Sequence, residues 1–124
     1  MNSENKASIL AVDDNTFLLD TVRFILEGEG YNVIVAYNGE DAINKFKENK
    51  DRIQLCISDI VMPKIGGREA YEEMRKIRPD LRAIFMSGCA PDMVKEIIDS
   101  GLDFISKPIS PSDFLRKVRE VLDR

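Results

Sequence analysis

Five side chains carry the chemistry this sequence offers: Asp13, Asp14, Asp59, Ser87 and Lys107. Each lies at the end of a short apolar run, and together they span 95 positions. Three carboxylates brought together repel one another, so either one stays protonated or a cation binds. Oxygen ligands without histidine or thiolate suit a hard cation, and Mg²⁺ is the expected one. Mg²⁺ keeps several waters and is commonly completed by phosphate oxygens. A lysine across the site is a point charge for a phosphate oxygen, and a small hydroxyl such as Ser87 donates to another. The set reads as a phosphoryl-transfer site, with a carboxylate accepting the group as an acyl phosphate.

Each residue also has a plainer reading. Asp14 or Asn15 caps the first helix, Ser87 before Gly88 is turn chemistry, and Lys107 before Pro108 is a solvated loop lysine. Phe104 is a core residue, and Cys56 and Cys89 are structural or incidental. What argues against the plain readings is their joint position, and that depends on the elements that carry them.

Ser8 to Val12 is an unbroken apolar run, the mark of a strand covered on both faces. Further strands are predicted over Tyr31 to Ala36, Ile53 to Ser58, Leu81 to Met86 and Leu102 to Ser106. Between them lie helical patterns: Leu18, Val22, Ile25 and Leu26; then Ala42, Ile43 and Phe46; then Ala70, Met74 and Ile77 from Arg68 onward. A fourth carries Met93, Val94, Ile97 and Ile98, with Pro91 in its first turn, and a fifth carries Phe114, Val118, Val121 and Leu122. Ser110 or Ser112 caps the last. Gly28 and Gly30, Pro79 and Gly101 stop helices, and Asn38-Gly39 reads as a turn. Strand and helix alternate five times. That implies α/β architecture: a doubly wound parallel sheet with right-handed crossovers and helices on both faces. All strands then end at one edge, where ligands bind in such sheets, and the five side chains converge there.

The chain has 124 residues, one domain, with the core predicted over about 8 to 122. A net charge of −4 and the lack of a basic run argue against a nucleic-acid surface. No apolar stretch approaches the roughly 20 residues of a membrane span. The first residues, Met-Asn-Ser-Glu-Asn-Lys, lack the apolar core of a signal peptide, so the expected location is the cytoplasm. The two cysteines show no metal or redox spacing. The absence of histidine excludes histidine catalysis and histidine metal ligands, and this stretch cannot serve as its own phosphohistidine donor.

From about Ser8 to Leu122 the sequence resembles the receiver domain of two-component response regulators. The resemblance rests on Val-Asp-Asp at 12 to 14, Ser-Asp-Ile-Val-Met-Pro at 58 to 63 with Gly66-Gly67, Met-Ser-Gly at 86 to 88, and Phe-Ile-Ser-Lys-Pro at 104 to 108. It implies a flavodoxin-like (βα)5 sheet of strand order 2-1-3-4-5. It implies Asp59 as phosphoacceptor, and Mg²⁺ held by Asp13, Asp14, Asp59 and the backbone carbonyl of Val61. Ser87 and Lys107 would bind phosphoryl oxygens, and Phe104 would swing inward when Ser87 moves. The implied donor is a histidine kinase or phosphotransfer domain, and the implied target a downstream output domain or protein. Val61 and Cys89 would flank the path of the attacking water; Cys89 is a less usual choice.

Two other readings compete. An aspartyl-phosphate hydrolase would carry its nucleophile after the first strand in an Asp-x-Asp pattern, but Asn15 stands at the second position. A flavodoxin-type nucleotide binder would want a Gly/Ser/Thr-rich loop there, and Asp13-Asp14 repels phosphate. No output domain follows Arg124, which suggests a stand-alone regulator or a piece of a longer protein. Gly67-Arg-Glu-Ala-Tyr and Ser106-Lys-Pro resemble receivers attached to hybrid sensor kinases.

Overall fold

A computed structural model describes residues 7–88 and 91–124. Five parallel strands, β1 (Ser8–Val12), β2 (Asn32–Ala36), β3 (Ile53–Asp59), β4 (Arg82–Ser87) and β5 (Asp103–Ser106), pair in the order β2-β1-β3-β4-β5. They alternate with α1 (Thr16–Gly28), α2 (Gly39–Glu48), α3 (Gly67–Ile77), α4 (Pro91–Asp99) and α5 (Pro111–Leu122).

The two-residue period of a strand divides the apolar residues between two cores. Leu10, Val12, Cys56 and Phe85 face Phe46 of α2, Tyr71 and Met74 of α3, and Ile97 of α4. Ile9, Ala11, Leu55, Ile57, Ile84 and Met86 face Leu19 and Leu26 of α1 and Phe114 and Val118 of α5. Because both faces are covered, β1 reads as a continuous apolar run rather than an alternating one. Phe46, Phe85 and Phe114 are fully buried, each contributing about 1.5–3 kcal/mol of apolar transfer.

Several boundaries differ from the sequence reading for a shared reason. Tyr31, Leu81 and Leu102 lie just outside their strands. Their N–H groups donate to the carbonyls of Leu26, Arg78 and Ile97, satisfying the end of the preceding segment rather than a ladder. At the other ends pairing runs one residue further. Asp59 pairs across from Met86, and Ser87 across from Ser106, so both are the last residues of strands. Asn38-Gly39 is no separate turn: Asn38 caps α2, its Oδ1 accepting from the Asp41 N–H at 2.7 Å. The first turn of α2 passes so close to Ile65 that a Cβ on Gly39 would lie 2.7 Å from the Ile65 carbonyl oxygen. Asn15, not Asp14, caps α1. Ser110 holds the cap position of α5 with Pro111 behind it.

Candidate functional site at the carboxyl rim of the sheet

Parallel strands end together, and the ends of β1, β3, β4 and β5 supply the site. Asp13 follows β1 directly, with its backbone N–H donating to the Ala36 carbonyl at 3.2 Å, so it stays at the sheet edge. Its carboxylate is buried. Oδ1 accepts from the Asn15 N–H at 2.9 Å, and Oδ2 lies 3.2 Å from Lys107 Nζ. Asp14, next in sequence, is exposed. Asp59 closes β3, half-buried, with Oδ2 3.3 Å from the same Lys107 Nζ. One carboxylate oxygen from each of Asp13, Asp14 and Asp59 falls within 4.8 Å of the others.

Lys107 is set by the strand that precedes it. Its N–H donates to the Ser87 carbonyl at 2.9 Å, extending the β4–β5 pairing by one residue, and the Lys107–Pro108 peptide is cis. The ammonium therefore reaches back over the strand ends to bridge Asp13 and Asp59. Ser87, the last residue of β4, is buried at the same rim.

Two opposed effects act on the titrating groups. Burial pushes the Asp59 carboxyl above its ordinary value, Lys107 opposes this, and Asp13 adds to it. The backbone N–H of Val61 also favours the ionised form. For Lys107, burial alone would lower the ammonium's pKa, but Asp13 and Asp59 outweigh it and the value is raised. The lysine stays charged where it sits.

The loop after Asp59 is fixed by close packing. Gly67 N–H donates to the Ile60 carbonyl at 2.9 Å, folding the start of α3 back onto the end of β3. A Cβ on Gly67 would lie 2.7 Å from Ser58 Oγ and nearer still to the Asp59 carbonyl oxygen. Only glycine allows that approach. Lys64 takes a positive φ of 68° within the same loop, and Val61 at its start is half exposed.

Asp13, Asp14, Asp59, Ser87 and Lys107 thus all lie at one rim. Phe104 lies one layer away, in β5 opposite Phe85 and partly buried against the α2–α3–α4 core. Cys89 lies outside the described residues. Cys56 sits in the middle of β3, fully buried, its thiol pushed up to about 12 by burial. The sequence reading missed the Asn15 N–H that orients Asp13; the Asx geometry of Asp-x-Asn could have signalled it. It also missed the close approach of Gly67 to the end of β3.

The donor set fits a hard divalent ion: carboxylate oxygens from three residues, no histidine, and no thiolate among the clustered groups. Among the described residues no helix is long and apolar enough to cross a membrane.

The family model for the response regulator receiver domain matches residues 9–119. The chain is 37% identical over 116 residues to chemotaxis protein CheY of Thermotoga maritima, covering 91% of this chain and 95% of that protein. It is 32% identical over 124 residues to sensor kinase CckA of Brucella abortus, covering 95% of this chain but 13% of that protein. Its length spans between 13% and 28% of that kinase and of three longer transcriptional regulators that it also matches. Among solved structures, a response regulator receiver domain protein from Clostridium thermocellum superposes with a TM-score of 0.88 at 28% identity, with 95% of each chain covered. The fold, the acidic rim and the sequence match agree: the chain belongs to the response regulator receiver domain family.

Proposed function

We propose that Asp59 is the phosphoacceptor of a two-component relay and that its modification switches the surface this domain shows to its target. The observation that carries this is one ammonium between two carboxylates, with a third carboxylate close by, at the end of the central strand. An Asp59 oxygen attacks phosphorus while the bond from phosphorus to a ring nitrogen of the donor's phosphohistidine breaks. The electron pair leaves with the imidazole, and an acyl phosphate forms on Asp59. Asp13, Asp14 and Asp59, with the Val61 backbone carbonyl, would hold Mg²⁺. When bound, the ion neutralises the carboxylates and the developing charge on the phosphoryl oxygens. Lys107, already charged and 3.3 Å from Asp59, pairs with one phosphoryl oxygen, and the Ser87 hydroxyl donates to another. Ser87 moves toward the phosphoryl group, and Phe104 repacks inward beside Phe85, altering the surface of α4 and β5.

The donor is a histidine kinase or phosphotransfer domain, and the target is an output domain or protein. The cytoplasm is the compartment in which such a donor is met. The similarity to sensor kinase CckA fits a receiver joined to a kinase, and the similarity to CheY fits a free regulator. The test is intact-protein mass spectrometry of wild type and Asp59→Asn after incubation with acetyl phosphate and Mg²⁺. One added phosphoryl group on wild type and none on the variant is expected. Equal labelling of the variant, or full labelling of wild type in excess chelator, refutes the reading.

A further inference from the structure

Four helices are anchored by several buried side chains, and one is not. Glycines aside, α1, α3 and α5 each bury three side chains and α2 buries two. Among the described residues α4 buries only Ile97. Val94 is half-buried, while Met93 and Ile98 are 44% and 58% exposed. Below α4 lies a cleft of about 280 Å³ between it and α3, lined by Ile60, Gly66, Met93 and Ile97. Ile60 directly follows Asp59, and its N–H donates to the Met86 carbonyl, so the floor of the cleft is continuous with the site.

One side chain spans the mouth of this cleft. Arg68, the second residue of α3, is two-thirds buried. Its Nη1 donates to Glu96 Oε1 at 3.3 Å and its Nη2 to Ser100 Oγ at 3.0 Å. Its Nε lies 3.9 Å from Glu72 Oε2 on its own helix, which holds the guanidinium in place. Glu96 and Ser100 are four residues apart, so one planar fork grips two successive turns at the end of α4. Lysine has no such fork, and the grip joins two helices that share little apolar contact across the cleft.

We propose that Arg68 is a tether that pins α4 over this cleft and so opposes its displacement when the rim is modified. For its second half the proposal rests on the reading of Asp59 given above; the tether itself does not. Removing a partly exposed charged fork raises the population of the displaced helix about three- to fivefold.

The first measurement is native-state amide hydrogen exchange by NMR on the metal-free protein without a phosphoryl donor. Arg68→Met keeps the aliphatic stem and removes the fork. Its α4 amides are expected to exchange about three- to fivefold faster, with α1 and α5 unchanged. Ser100→Ala should give a smaller rise confined to α4, and adding it to Arg68→Met should change nothing more. Unchanged α4 exchange in Arg68→Met overturns the tether, as does full additivity of the two substitutions. If Arg68→Met speeds exchange in every element, Ser100→Ala decides: an α4-selective rise supports the tether, and its absence overturns it. The second measurement is titration with beryllofluoride and Mg²⁺. Arg68→Met should bind about three- to fivefold more tightly, and unchanged affinity overturns the control of the site. Failure of wild type itself to bind would count against the phosphoacceptor reading instead.

Discussion

Replacing Gly67 by alanine tests whether the start of α3 is what holds Asp59 in register. The added Cβ would sit 2.7 Å from Ser58 Oγ, 0.7 Å inside the 3.4 Å at which ordinary contacts begin, and nearer still to the Asp59 carbonyl oxygen. The hydroxyl can rotate away, but the carbonyl is main chain at the end of the central strand, paired there with Met86 of β4, and cannot rotate away. Either α3 lifts, breaking the 2.9 Å bond from Gly67 N–H to the Ile60 carbonyl, or the end of β3 bends. Overpacking of this kind costs about 1–3 kcal/mol, and a backbone obstacle belongs at the upper end. The expected loss is about 3 kcal/mol, read as a lower urea midpoint with unchanged slope, or roughly 12 °C in melting temperature. A carboxylate displaced by a fraction of an ångström loses its in-line geometry, so labelling by acetyl phosphate should slow by at least about tenfold. Gly28→Ala is the control: nothing lies within 4 Å of its added Cβ, and stability should hold or rise by about 0.5 kcal/mol. A Gly67→Ala protein within about 1 kcal/mol of wild type and labelled at the wild-type rate would refute this account of the loop.

The raised pKa of Asp59 fixes the sign of a pH effect. Its contribution to stability is present below the ordinary carboxylate range and is lost as pH rises through the folded value. In chelator, Asp59→Asn should therefore be the more stable protein near about pH 7, with the gap closing toward about pH 4; a variant less stable than wild type at neutral pH overturns the sign. Cys56, buried and with its thiol pushed up to about 12, should react with iodoacetamide near neutral pH only as fast as the protein unfolds. Peptide mapping that finds Cys56 alkylated in the native state would contradict that. On the proposed reading Val61 and Cys89 flank the attacking water; Val61 offers no side-chain hydrogen bond and Cys89 only a weak donor, so neither would orient it. Val61→Asn with Cys89→Glu should speed phosphate loss about tenfold, about 1.4 kcal/mol off the barrier. A double variant that decays at the wild-type rate after donor removal refutes the role of these positions.

The sequence carried most of this site because α/β topology does the collecting. Once five apolar runs alternate with five helical patterns, the ends of the runs must meet, whatever loops join them. Asp13, Asp14, Asp59, Ser87 and Lys107 were legible for that reason. What pattern could not supply were contacts between parts far apart in the chain. Asp13 is buried while its neighbour Asp14 is exposed, and the buried carboxylate meets Lys107, 94 residues away. Lys107 in turn is aimed by a backbone bond to Ser87, and no periodicity announces that. Asn38-Gly39 looked like a turn because the dipeptide is a strong turn signal. The Asn38 side chain instead caps α2 through the Asp41 N–H, and the contact that pattern could not supply is the approach of Ile65 to Gly39. Nothing in the pattern links Arg68 to Glu96 and Ser100, which lie 28 and 32 residues away.

The charge at the rim also bears on why a carboxylate can serve as the acceptor at all. With three carboxylates ionised and one ammonium among them, the cluster carries −2. Lys107 alone does not balance it, and the burial that raises the pKa of Asp59 shows the residual cost. A divalent ion would close that deficit, which is why the proposed chemistry needs both cations rather than either. An incoming phosphoryl group brings further negative charge to a place that already repels it. Lys107 is held at its backbone to the strand that ends in Ser87, and its ammonium already lies 3.3 Å from Asp59, where the phosphoryl group would form. On this reading Asp13 and Lys107 stand in place before phosphorylation, and reorganisation falls on Ser87 and on the side where packing is thinnest, Phe104 and α4, which among the described residues buries only Ile97.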